Sequence, residues 1–159
     1  MKNRKTVIAN RISEVFLTGR WIANTNYKEQ IESISWQQAT QKCHQLNTIS
    51  DLIYHVNYFL DELLKSMETG KAAGTLKHSF TIPPINAEED WKHITGNLLT
   101  NAEKLMNSLL QMDVEVLDKP FINAKLGTLL QHIDAVIEHS YYHLGQITLI
   151  RKMISQSEA

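Results

Sequence analysis

The chain has 159 residues, 43% hydrophobic and 21% charged, with three prolines and six glycines; this is the balance of one compact soluble domain over 1–159, and it excludes disordered, collagen-like and Gly/Ser-rich architectures. Sixteen Lys and Arg against seventeen Asp and Glu give a net charge of −1 and a pI near 6.6, so the basic face of a nucleic-acid binder is not expected. No apolar run approaches the ~18–20 residues needed to span a bilayer.

Breaker residues cut the chain into four long helical segments, the pattern of an all-α, up-down-type four-helix bundle. The first runs from about Thr6 to Phe16 and places Val7, Ile8, Ile12, Val15 and Phe16 near one face. Gly19-Arg20-Trp21 interrupts it, and a helical pattern resumes over Tyr27 to Ile34 after a bend, before a short turn begun by Ser35. In the second, Ile49, Leu52, Ile53, Val56, Leu60, Leu63, Leu64 and Met67 follow i, i+3, i+4, i+7 spacing. Thr48 with Asp51 forms its N-terminal cap pair and Gly70 ends it. Residues 70–86, with Gly70, Gly74 and Pro83-Pro84, form a loop.

The third segment is expected to start at Asn86, with Glu89 as the reciprocal partner of its cap, and to bury Trp91, Ile94, Leu98, Leu105, Leu109 and Met112. Pro120 and Gly127 punctuate the next connection. The fourth, from about Thr128 to Ser155, carries Leu129, Leu130, Ile133, Val136, Ile137, Leu144, Ile147, Ile150 and Ile154. The one cysteine, Cys43, has no partner in the chain, which fits a reducing, cytoplasmic setting.

Seven histidines are the compositional excess. His139 and His143 sit four apart on the last helix, about 6 Å along its axis and on one face, where two nitrogens can share an ion. Both fall roughly 80–120° from the centre of the apolar stripe, on the shoulder where a bundle forms a cleft; Gln146 shares that flank. His55 is a shoulder residue of the second segment, about 120° from its stripe and beside Phe59. If the shoulders face each other, three nitrogens converge and leave positions open for water or substrate, the arrangement of catalytic zinc. The alternative is a set of surface or half-buried helix histidines. His132, roughly 10 Å from His139 by helical rise, is too far for the same ion but close enough to line the cleft. His44 and His93 read as solvated or capping, and His78 as a loop residue.

Gly19-Arg20-Trp21, then Ile49-Ser50-Asp51-Leu52-Ile53-Tyr54-His55, then Trp91 early in the third helix, and finally His139-Ser140-Tyr141-Tyr142-His143-Leu144-Gly145-Gln146-Ile147 together resemble the DinB-like, or YfiT-like, superfamily of metalloenzymes. The resemblance covers most of the chain and its last segment is the most specific. It implies a four-helix bundle whose metal ligands are His55, His139 and His143, with Gly145 allowing close approach of a neighbouring helix and Gln146 orienting a ligand or a backbone group. Phe59, Trp91, His132 and Gln146 are the candidate pocket residues. The resemblance also implies a homodimer.

Nitrogen ligands suit a divalent ion: zinc or nickel, then iron, cobalt or manganese. The linker Ser140-Tyr141-Tyr142 has no Glu where a His-Glu-x-x-His protease keeps its base. Asp51, Glu62, Asp134 and Glu138 are near in sequence but carry no assignable base role, so the catalytic residue is unknown. An ion with open positions activates water or holds a thiol as thiolate. Characterised relatives include transferases and isomerases using low-molecular-weight thiols such as bacillithiol or mycothiol, which implies a thiol S-transferase acting on a small-molecule substrate. A metal-dependent hydrolase, a non-catalytic metal or small-ligand binder and a purely structural bundle are the competing readings.

Overall fold

The computed structural model describes residues 3–157. Six α-helices, α1 (Arg4–Phe16), α2 (Tyr27–Glu32), α3 (Trp36–Thr40), α4 (Ile49–Thr69), α5 (Glu88–Gln111) and α6 (Leu129–Ser157), are joined by connections containing short 3₁₀ turns. Among the described residues the fold is all-α, and no helix is long and apolar enough to cross a membrane.

Local chemistry sets the helix ends. At α4, Thr48 accepts from the Asp51 amide (3.0 Å) while Asp51 accepts from the Thr48 amide (2.8 Å), so two otherwise orphaned donors are satisfied reciprocally. Gly70 closes α4 with φ 68, left-handed backbone that a glycine adopts without steric cost. The start of α5 is one residue later than the sequence suggests: Ala87 is the cap position, and the Asp90 carboxylate accepts from the amides of Asn86 (2.9 Å) and Ala87 (3.1 Å). Asp90 takes the place expected of Glu89 because the reciprocal partner is the third helical residue, and moving the cap from 86 to 87 moves that position from 89 to 90. Thr128 and Gln131 make the equivalent reciprocal pair at α6.

The long helices pack α1 on α5, α5 on α4, α4 on α6 and α6 on α1, closing around one apolar core. Ile12, Phe16, Ile53, Leu60, Leu98, Leu105 and Ile133 are fully buried in it. Val7 departs from the expected stripe and is 44% exposed; it sits at the edge of the α1 face rather than under it.

Helix directions follow from the cross-links. Lys5, at the start of α1, donates to the carbonyls of Leu110 and Met112 at the end of α5, so these helices are antiparallel. Arg4 pairs with Asp118 just before α6, Arg11 with Asp134, and Tyr27 beyond α1 reaches Ser140, so α1 and α6 are parallel. His55 and Phe59 of α4 meet His139 of α6, while Ile49 lies near Ile154, making that pair antiparallel. It follows that α4 and α5 run the same way. The order is up-down-down-up, a correction to the simple up-down expectation. The connection 70–87 permits it: extended, it reaches up to ~60 Å, about twice the ~31 Å length of the 21-residue α4.

Candidate metal centre

Two helices bring the three shoulder histidines together. His55 lies in the second turn of α4 and His139 and His143 in the middle of α6, where the antiparallel packing sets them opposite one another. The α6 turn between the paired histidines is held from behind. The buried Tyr27 hydroxyl donates to the Ser140 carbonyl at 2.8 Å, and Ser140 Oγ donates to the Val136 carbonyl at 2.7 Å. This anchors the segment and leaves the imidazoles projecting into the α4/α6 seam.

One ligand-type atom from each histidine lies within 4.8 Å of the others. His55 Nε2 is 3.3 Å from His139 Nε2, which is 2.9 Å from His143 Nε2. Zinc–nitrogen bonds of ~2.0–2.1 Å in a tetrahedron separate the nitrogens by about 3.3 Å; the two separations through His139 are close to that, and the His55–His143 side, within 4.8 Å, would have to close for all three to share an ion. Lone-pair direction fits as well. His143 Nδ1–H donates to Gln146 Oε1 at 2.7 Å, which leaves the Nε2 lone pair of the neutral ring facing the centre.

Burial shapes the electrostatics. His55 and His143 are 7% and 6% exposed, and His139 is half-buried. Desolvation, followed by the proximity of His143 and His139, pushes His55 down to about 4, with the Ser79 backbone opposing the shift. His139 is lowered by burial and then by His143, and His143 by burial against the opposing effect of Gln146. All three are therefore neutral near pH 7, the form that ligates metal. His55 Nδ1 is buried without a hydrogen bond of ordinary geometry.

An aromatic collar surrounds the rings. Phe59 is edge-on to His55 (5.0 Å) and His139 (4.8 Å), Tyr142 is edge-on to His143 (4.9 Å), and Phe80 stacks flat on His55 at 4.0 Å and 16°. Phe80 comes from the 70–87 connection and had no sequence signal, since a lone aromatic in an aperiodic loop is indistinguishable from any other.

The other candidates separate by position. His132 and Phe59 line one cleft further along the α4/α6 seam. Gln146 contacts the centre only through His143 and borders a different depression beside Leu52 and Leu149. Trp91 is 2% exposed in the core face of α5 and is not among the residues lining that cleft. A Cβ at Gly145 would meet nothing within 4 Å, so among the described residues no neighbouring helix makes the close approach expected there. His44, His78 and His93 are exposed.

The four nearby carboxylates are engaged or remote. Asp51 serves the α4 cap, Asp134 pairs with Arg11, Glu138 is exposed, and Glu62 lies beyond Phe59 in the cleft. Among the described residues, none bonds to a ring nitrogen of the three histidines.

No family model, curated protein or solved structure matches the chain.

Proposed function

We propose that the chain is a metal-dependent enzyme of the DinB-like type, with His55, His139 and His143 as the protein ligands of one divalent ion, zinc or nickel foremost. The observation that carries this reading is the convergence of three neutral imidazoles from two helices within 4.8 Å. Buried polar groups are normally paired with protein or water; here three Nε2 atoms crowd together, at 3.3 Å and 2.9 Å along the His55–His139–His143 path, an arrangement that a shared cation would relieve.

When bound, such an ion supplies a Lewis acid with exchangeable positions, able to activate a water or a thiol. The chain's own residues hold and orient. Gln146 fixes the tautomer of His143, Tyr27 and Ser140 fix the α6 turn, and Phe59 and Phe80 keep solvent from His55. Among the described residues no carboxylate stands beside the rings to act as base, so an ion held by the three histidines would have to supply that activation. The resemblance to thiol-using enzymes favours transfer of a low-molecular-weight thiol to a small electrophile; hydrolysis is the second reading, supported by the same lack of a neighbouring base.

Zinc titration of chelator-treated protein tests the first step. One equivalent should bind wild type, and His143→Ala should weaken binding by at least about a hundredfold, more than loss of an outer-shell partner costs. Equal affinities would remove His143 from the site. Electrophile consumption with and without added thiol then separates the two reactions, since a hydrolase is indifferent to the thiol.

A further inference from the structure

Past Phe59 the α4/α6 seam opens, away from the histidines, into a cleft of about 610 Å³. Phe59 and Leu63 of α4, Val136 of α6, and Phe121 and Leu126 of the α5–α6 connection form its apolar wall, and residues 72–75 cover it. Volume and lining are those of a small-molecule site, mostly apolar with a few placed polar groups.

The polar groups are one-sided in chemistry. Glu62 and His132 line the cleft, and no Lys or Arg does. Glu62 Oε2 is buried with no hydrogen-bond partner, because the Gly74 backbone rests directly on the carboxylate; a Cβ at residue 74 would collide with Glu62 and the Tyr58 hydroxyl. Lys65 offers little compensation, standing 4.0 Å from Oε1 and pairing with Asp61 instead. Oε2 itself is sealed, so a ligand reaches Glu62 through the 19% of its side chain that stays exposed and meets the carboxylate from the side away from Gly74. His132 Nε2–H donates to the Leu126 carbonyl at 3.0 Å, which leaves Nδ1 as the ring atom not engaged there. The Tyr58 hydroxyl is already committed, donating to the Thr75 carbonyl (2.8 Å) and accepting from its amide (3.0 Å).

A carboxylate short of donors in a largely apolar cleft is costly until a donor arrives, and a cationic donor relieves it most. We infer that this cleft binds an apolar amine, an aryl or branched alkyl group carrying a protonated nitrogen, with the ammonium on Glu62 and the apolar body against Phe59, Leu63 and Phe121. Carboxylates and phosphates are rejected, because the cleft offers an anion repulsion from Glu62 and no cation. The site uses none of the three converging histidines, so it stands whether or not they hold a metal.

The test follows backbone amide shifts of the full chain, labelled with nitrogen-15, during titration with phenethylamine and with hydrocinnamate, which is similar in size but anionic. Phenethylamine should move amides in 72–75, 121–122 and 132 and bind at least about tenfold more tightly than hydrocinnamate, in chelator-treated and zinc-loaded protein alike. Glu62→Gln should weaken the amine about tenfold and leave the neutral phenethyl alcohol within about twofold. Equal or tighter binding of hydrocinnamate, shifts mapping elsewhere, or an amine affinity unchanged in Glu62→Gln overturns the proposal. The cation–anion contrast is read on wild type and needs no variant to fold. Failure of zinc to bind would count against the metal reading alone, since the amine is also titrated into chelator-treated protein.

Discussion

The two flanks of α4 follow opposite rules. Toward α5 it packs on a helix whose Leu98, Leu105 and Leu109 are fully buried, with a polar crossing where Asn101 donates to Asn57 at 3.0 Å. Toward α6 it meets His55, His139 and His143, then Phe59, Glu62 and His132. One flank gains free energy from every methylene it removes from water; the other holds polar groups whose desolvation is incompletely compensated. Stability and ligand chemistry thus sit on different faces of the same helix, and substitutions should affect them separately.

The largest effect is expected on the apolar flank. Leu98→Ala should lower the free energy of unfolding by about 2–5 kcal/mol, from lost transfer energy and the cavity left behind, while zinc affinity of the folded protein stays at the wild-type value. Urea unfolding beside a zinc competition titration checks both; a parallel fall in zinc affinity would show that the flanks are coupled. On the polar flank, Gln146→Leu removes the acceptor of His143 Nδ1–H and should reduce zinc affinity by about 10–100-fold. Gln146→Glu, which keeps an acceptor, should restore most of it.

The gentlest probe is pH. The histidine values are depressed in the fold, so the unfolded chain binds more protons below about 6.5, the ordinary histidine value. Stability of the metal-free protein should hold above that pH and fall progressively toward about 4, where His55 titrates. Zinc affinity should be nearly flat from pH 8 to about 6.5, because the protons have already left the ligands. A melting temperature that is level across this acid range would mean that the three rings are not held neutral by their surroundings.

The sequence made the helices legible because their apolar spacing and their caps agree. Ile49 through Met67 and Leu129 through Ile154 are buried or partly buried at every expected position, apart from small differences in depth. The shoulder positions of His55, His139 and His143 were legible for the same reason, since helical angle alone sets them. Phe80 and the cover at 72–75 were not, because a connection without periodicity gives no indication of where its side chains land. Helix direction was hidden too: the length of 70–87 permits a return along the bundle but does not require it. The placement of Trp91, buried in the core, was not legible either, because an aromatic at a core position and one at a pocket wall look alike in one dimension.

Phe80 and Gly74 both belong to the connection that carries the chain back between its two parallel helices, whereas His55, His139 and His143 belong to the helices themselves. The roof and the floor of the seam are therefore encoded in separable stretches of sequence. Replacing or lengthening the roof would redraw the entrance while leaving the imidazoles in register, so a family of variants differing only in that strap could sample different guests over an unchanged base.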